Sequence, residues 1–182
     1  MRFVETTVAG AFVIEPEPIA DERGFFARTW CQREAEEHGL NPAVAQCNIS
    51  FNLRKGTLRG MHYQAAPHEE AKLVRCARGA IYDVIIDLRP RSPSYGAHVG
   101  AELTEGNGRL IYVPEGCAHG FLTLADRTEV LYQMSQLYVP DAGRGVRWDD
   151  PAFGISWPGA VEVINERDRS YPDTELLARS DP

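Results

Sequence analysis

The stretch Gly56-Thr-Leu-Arg-Gly-Met-His-Tyr-Gln64 reads as a β-strand, yet it sets an arginine, a histidine and a glutamine among apolar residues. Alternation along a strand puts His62 and Gln64 on the face shared by Leu58 and Gly60. If that face points inward, an imidazole and an amide line a pocket suited to acid/base chemistry, because buried polar groups are costly without partners. On this segment alone, a solvated face with an incidental histidine accounts for the residues equally well. Other strand-like runs each carry ionisable groups among apolar residues. Lys72 opens Lys72-Leu-Val-Arg-Cys76, and Asp83 and Asp87 sit within Ile81-Tyr-Asp-Val-Ile-Ile-Asp-Leu88. His119 follows Pro114-Glu-Gly-Cys-Ala118, and Tyr132 lies in Glu129-Val-Leu-Tyr-Gln-Met134. Convergence on one site explains this recurrence better than a set of unrelated edge positions.

A histidine-bearing β-barrel raises metal binding first. Metal-binding barrels usually supply histidines at i and i+2 with a nearby carboxylate, but the i+2 partner of His62 is Gln64. His119 is followed by Gly120 and Phe121, and His68 falls in the loop Ala66-Pro-His-Glu-Glu70. A tight transition-metal ligand set is hard to assemble from these. The expectation is metal-free acid/base chemistry without a cofactor.

The elements that must position these groups are mostly strands. Apolar or alternating runs occur at about 11–15, 44–51, 57–63, 72–77, 80–88, 97–103, 109–113, 119–124, 128–135 and 144–148. Turn signals such as Arg54-Lys-Gly56, Ala77-Arg-Gly79 and Glu105-Gly-Asn-Gly108 separate them. The early helix expected is Cys31–His38, with Gly39 as its C-terminal cap and Pro42 as a stop. Many short strands with regular turns imply a β-sandwich or a barrel of jelly-roll type. The tail from about residue 150, richer in Pro, Asp and Arg, is expected to wrap it. At 182 residues with 43% hydrophobic content, one domain spanning 1–182 is expected. A net charge of −7 argues against a general nucleic-acid or membrane-surface binder and leaves room for an anionic small ligand in a locally basic pocket. The start lacks a signal-peptide core, and the four cysteines form no Cys-x-x-Cys pair, so a cytoplasmic location with reduced thiols is expected.

Taken in order, several motifs become recognisable: Asp21-Glu-Arg-Gly-Phe-Phe26, Gln46-Cys-Asn-Ile-Ser50, Leu58-Arg-Gly-Met-His-Tyr-Gln64, Lys72-Leu-Val-Arg75, Pro114-Glu-Gly-Cys-Ala-His-Gly-Phe121, Tyr138-Val-Pro140 and Trp148-Asp-Asp-Pro151. From about residue 2 to 173 the chain resembles the dTDP-4-dehydrorhamnose 3,5-epimerase family. The resemblance implies a cupin-type jelly roll with a few short peripheral helices, no metal, a homodimer, and a nucleotide-diphosphate 4-keto-6-deoxy sugar as substrate. The sugar's ketone acidifies the C–H bonds at C3 and C5. Inversion then needs a base, an acid on the opposite face and positive charge near the enolate oxygen. By resemblance His62 is the base, Asp168 holds its imidazole, Tyr132 is the acid and Lys72 stabilises the enolate. Arg23, Arg59 and His119, the last oriented by Asp83, would face the diphosphate. Gln46 and Asn48 match ligand contacts, Tyr138 a residue that stacks on the base, and Arg28 and Arg167 substrate-binding positions.

The chain also departs from the family pattern. The family usually has glutamate at 28 and 143, lysine at 167 and glutamine at 70, and this chain has Arg28, Gly143, Arg167 and Glu70. The catalytic set is retained while the set that reads the base is altered. Alternatives to a 3,5-epimerase are therefore a single-carbon epimerase, an enzyme using another nucleotide sugar, and a non-catalytic sugar-nucleotide binding protein. One geometric point also stands open. Arg59 and His62 are three residues apart, so strict alternation sends them to opposite faces unless a bulge at Gly60 intervenes.

Overall fold

The structure, a computed structural model, describes residues 1–176. Runs rich in Val, Ile, Phe and Tyr favour a pleated backbone over helix, and the chain forms antiparallel strands along most of its length. In order they are β1 (Arg2–Glu5), β2 (Phe12–Glu15), β3 (Ile19–Asp21), β4 (Gly24–Phe26), β5 (Gln46–Asn52), β6 (Leu58–Gln64), β7 (Lys72–Arg78), β8 (Ala80–Asp87), β9 (His98–Thr104), β10 (Leu110–Val113), β11 (Cys117–Thr123), β12 (Thr128–Met134) and β13 (Gly143–Gly145). One sheet has the order β1-β2-β10-β7-β12-β5, and the other β13-β6-β11-β8-β9. Their inner faces meet over Val74, Ile111 and Val130 from the first sheet and Ile81, Ile85, Leu103 and Phe121 from the second. This is the cupin-type jelly roll that the resemblance implies. β3 and β4 stand apart as a two-stranded hairpin.

The outer faces are covered by non-strand segments. Helix α1 (Gln32–Glu37) lies over the first sheet, where Ala35 and Leu40 pack with Ile14, Leu73, Leu110 and Tyr112. The tail covers the second sheet through Val146 and Phe153, against Met61, Val84, Ile86 and Ala118. It is tied to the barrel by backbone bonds: Glu162 N–H and Val163 N–H donate to Gly56 O, and Leu58 N–H donates to Val163 O. No helix among the described residues is long and apolar enough to cross a membrane.

The strands expected from periodicity occur within a few residues of their expected bounds. The expected helix Cys31–His38 is the slightly shorter α1, and Gly39 beyond it takes φ +70°. Features not foreseen include β1, the β3–β4 hairpin, and a short helix α2 (Glu166–Arg169) in the tail. A four-residue helix is too short to show a period. It is started instead by Asn165, whose side chain accepts from the Asp168 N–H at 2.7 Å.

One irregularity positions the site. β11 pairs with β6 so that His119 faces His62 and Phe121 faces Arg59, and the register shifts between these pairs. Gly60 and Met61 together thus oppose Gly120. The extra residue resets the alternation, and Arg59 and His62 both reach the same pocket. Gly60 has φ +136°, and a Cβ there would lie 2.5 Å from Gly120 Cα. Only glycine permits both that conformation and that approach.

Candidate active site

A cavity of about 450 Å³ opens between the sheets. Strand β5 contributes Gln46, Asn48 and Ser50 to its wall, and β6 contributes Arg59, His62 and Gln64. Lys72 comes from β7, His119 and Phe121 from β11, and Tyr132 and Met134 from β12. The mouth is formed by Tyr138, Gly143, Arg144 and the start of α2, which supplies Arg167 and Asp168. Of the groups flagged on separate strands, His62, Lys72, His119 and Tyr132 converge on this cavity; Asp83 bonds His119 from the core side, and Asp87 does not line the cavity but pairs with Arg89, Ser92 and Ser94.

His62 Nε2 lies 2.7 Å from Asp168 Oδ1. The carboxylate is almost fully buried, whereas the imidazole side chain is 40% exposed. Asp168 Oδ2 accepts the Gly60 N–H at 3.1 Å, so the bulge glycine and the histidine share one anchor. Burial pushes the Asp168 carboxyl upward, but the His62 hydrogen bond and charge, the Gly60 N–H and the Arg167 charge outweigh it and hold it below the ordinary carboxylate value. An imidazole that donates from Nε2 to an ionised carboxylate keeps its lone pair on Nδ1, the nitrogen able to take a proton.

His119 forms a second, deeper pair. Its Nε2 lies 2.9 and 3.0 Å from the two oxygens of Asp83, which is fully buried. Burial raises the Asp83 carboxyl above its ordinary value, opposed by the charges of His119 and Lys72. Lys72 is itself buried; its Nζ lies 3.0 Å from Glu70 Oε1 and donates to His62 O at 3.2 Å. Tyr132 sits between Asn48 on β5 and Val74 on β7. Its ring packs partly on the barrel core while it also lines the cavity.

The remaining expected residues divide. Arg59 Nε donates to Asn52 Oδ1 at 2.7 Å. Gln46 accepts the Tyr138 N–H at 2.7 Å, holding an exposed tyrosine ring at the mouth. Arg167 Nε donates to Tyr171 Oη at 2.8 Å. Arg23 and Arg28 do not line the cavity of their own chain. Arg23, on the β3–β4 hairpin, pairs with Asp21, and Arg28 Nη1 bonds Glu34 Oε1 at 2.9 Å. Among the described residues there is no group of three or more His, Cys, Asp or Glu able to hold a metal ion.

Sequence reasoning did not assign Ser50, Glu70 or Arg144 to the site. Ser50 was within reach of it, since it follows Gln46 and Asn48 at the same strand period. Glu70 and Arg144 come from a loop and from a three-residue strand, which carry no usable period.

The chain matches the model of the dTDP-4-dehydrorhamnose 3,5-epimerase family over residues 5–175. It is 43% identical over 173 residues to the dTDP-4-dehydrorhamnose 3,5-epimerase of Methanothermobacter thermautotrophicus, covering 93% of this chain and 92% of that one. It is 38% identical over 181 residues to a dTDP-4-dehydrorhamnose 3-epimerase of Streptomyces niveus, covering 99% of this chain and 86% of the other. Its fold superposes with a TM-score of 0.90 on the Bacillus anthracis dTDP-4-dehydrorhamnose 3,5-epimerase with TDP and PPi bound, at 37% identity over 95% of this chain and 99% of that one. With a barrel, a cavity and a sequence that agree over nearly its whole length, this chain belongs to the dTDP-4-dehydrorhamnose 3,5-epimerase family.

Proposed function

We propose that the protein inverts C3 and C5 of a dTDP-linked 4-keto-6-deoxy hexose through an enolate. The observation that carries this reading is the His62–Asp168 pair, which shares one cavity with Lys72 and Tyr132. His62 removes a proton next to the ketone. Asp168 fixes the imidazole and stabilises the imidazolium that results, as a buried carboxylate does in other acid/base pairs. Lys72 meets the negative charge that develops on the C4 oxygen. Tyr132 returns a proton to the opposite face, which completes inversion. With the sugar at these groups, the diphosphate lies along the donors of Arg59 and His119, and the base extends toward the mouth, where Arg167 offers further donors and Tyr138 an exposed ring.

The working unit in this reading is a homodimer. Strand β5 inverts the usual pattern: Gln46, Asn48 and Ser50 face the cavity, while Cys47, Ile49 and Phe51 face solvent. The β3–β4 hairpin likewise exposes Ile19, Phe25 and Phe26, each above 70%. Such apolar surface suits a second copy. Arg23 and Arg28 contact substrate only if the hairpin of one copy reaches the cavity of another.

A single-carbon epimerase is the second reading, favoured by the similarity to the Streptomyces niveus protein named a 3-epimerase. Incubation with dTDP-4-keto-6-deoxyglucose in deuterated water separates the two by NMR. Deuterium at C3 and C5 supports the first reading, deuterium at C3 alone supports the second, and no uptake at either carbon refutes both.

A further inference from the structure

Tyr171 does not line the cavity, yet it touches two residues at its edge. Its Oη accepts from Arg167 Nε at 2.8 Å, and the guanidinium carbon lies 5.9 Å from the centre of its ring. The same ring rests on the backbone of β13. A Cβ on Gly145 would fall 2.4 Å from ring carbons Cε2 and Cζ, so the tyrosine closes down only because that residue is glycine. Gly145 stands opposite His62 in the β13–β6 pairing. The tyrosine thus fixes Arg167 against the strand beside the proposed base. It also gives the guanidinium a direction. Nη2 lies 3.3 Å from the point that a Cβ on Gly143 would occupy, and Tyr138 Oη lies 3.8 Å from the same point. Gly143, Tyr138 and Arg167 all line the mouth, and both side chains are exposed. Gly143 has φ −63°, which any residue adopts, so its missing side chain provides space and not backbone freedom.

We infer that Tyr171 is a positioning residue that aims Arg167 at a carbonyl oxygen of the nucleobase, beside the ring of Tyr138. The inference rests on the proposed placement of the base at the mouth. A guanidinium has donors only, so what it takes from a pyrimidine is a carbonyl oxygen and not a ring N–H. A free arginine on an exposed turn of helix gives up rotamer freedom when it binds. One already held by a hydrogen bond and a ring gives up less, and the difference appears as affinity.

The test is a double-mutant cycle read by calorimetry. Tyr171→Phe keeps the ring on Gly145 and deletes only Oη, and Arg167→Met keeps most of the apolar stem and removes the donors. Each variant and the double variant are titrated with dTDP and with deoxyribose 5-diphosphate, which lacks the base. Tyr171→Phe is expected to weaken dTDP by about three- to tenfold, the size of one net hydrogen bond. In the Arg167→Met background the same change should cost less than about 1.5-fold, because a residue that acts through Arg167 has nothing left to act on. The abasic diphosphate should bind all four proteins within about twofold. A merely structural Tyr171 would lower the melting temperature and weaken both ligands together. The inference is overturned by equal losses for the two ligands, by losses that add in the double variant, or by an unchanged dTDP affinity in Tyr171→Phe. Failure of the wild type to bind dTDP more tightly than the abasic diphosphate instead overturns the placement of the base beneath it.

Discussion

At the scale of single residues, the site rests on groups that depend on one another. In the proposed reaction His62 meets the substrate and is partly exposed, whereas Asp168 only anchors it and is buried. His62→Ala is expected to lower proton exchange at both carbons by about 10²–10⁴, the usual range for loss of a general base, with nucleotide affinity little changed. Exchange at the wild-type rate would remove His62 from the role of base. Tyr132→Phe keeps the ring that packs on the core and deletes only the hydroxyl. Deuterium uptake should then survive better than inversion, because His62 can still form the enolate and return the proton to the face it came from. Equal losses, read by NMR on the same samples, would assign the tyrosine to enolate formation. Arg28 shows a different dependence. Its guanidinium is engaged by Glu34, which also holds the Met1 amino group at 3.0 Å, so any contact with a nucleotide competes with an existing pair.

At the scale of elements, legibility followed periodicity. The strands carrying His62, Lys72, His119 and Tyr132 were readable because each is a run of strand length in which polar residues interrupt apolar ones. The α2 helix was not readable. Four residues in a Pro- and Asp-rich tail give no pattern, and so Asp168 rested on resemblance until the Asn165 cap and its burial were seen. The inward polar face of β5 was half legible, since Gln46 and Asn48 alternate correctly, but nothing local says that the apolar Ile49 and Phe51 should face outward. Arg23 matched a motif and Arg28 departed from one, yet neither lines the cavity of its own chain, a relation that local sequence does not encode. The bulge in β6 is the element on which most depends. Gly60→Ala places a Cβ against Gly120 at a positive φ. The expected cost is at least about 2 kcal/mol of stability from strain and overpacking. Activity should drop further than stability alone explains, because the Gly60 N–H is one of the two groups holding Asp168. Thermal melts set beside turnover check this: a variant that melts lower but keeps full turnover would separate the bulge from the site.

At the scale of the whole molecule, buried carboxylates set the response to acid. Asp87 is fully buried and accepts from Arg89, Ser92 and Ser94; burial pushes it up, but these bonds prevail and bring it to about 2 from an ordinary 3.8. A depressed folded value adds stability that is present above the unfolded value and lost as pH falls through the folded one. Here that is about 2 kcal/mol, disappearing between roughly pH 4 and 2. Asp168 and Asp150 act in the same direction, whereas the raised Asp83 contributes stability that is present at low pH and lost as pH rises. Asp87→Asn should therefore lower the melting temperature at pH 7 and flatten its fall below pH 4, as melts across a pH series would show. The tail adds an ordering in time. The barrel strands end by Gly145, whereas Asp168 lies on α2, beyond the crossing at Gly56. A ribosome thus releases every strand of the cavity wall before it releases the carboxylate that holds His62. Chains interrupted after about residue 160 should contain a barrel able to hold a nucleotide but with an unanchored His62, so completion of synthesis, and not closure of the barrel, is the step that switches the proposed chemistry on.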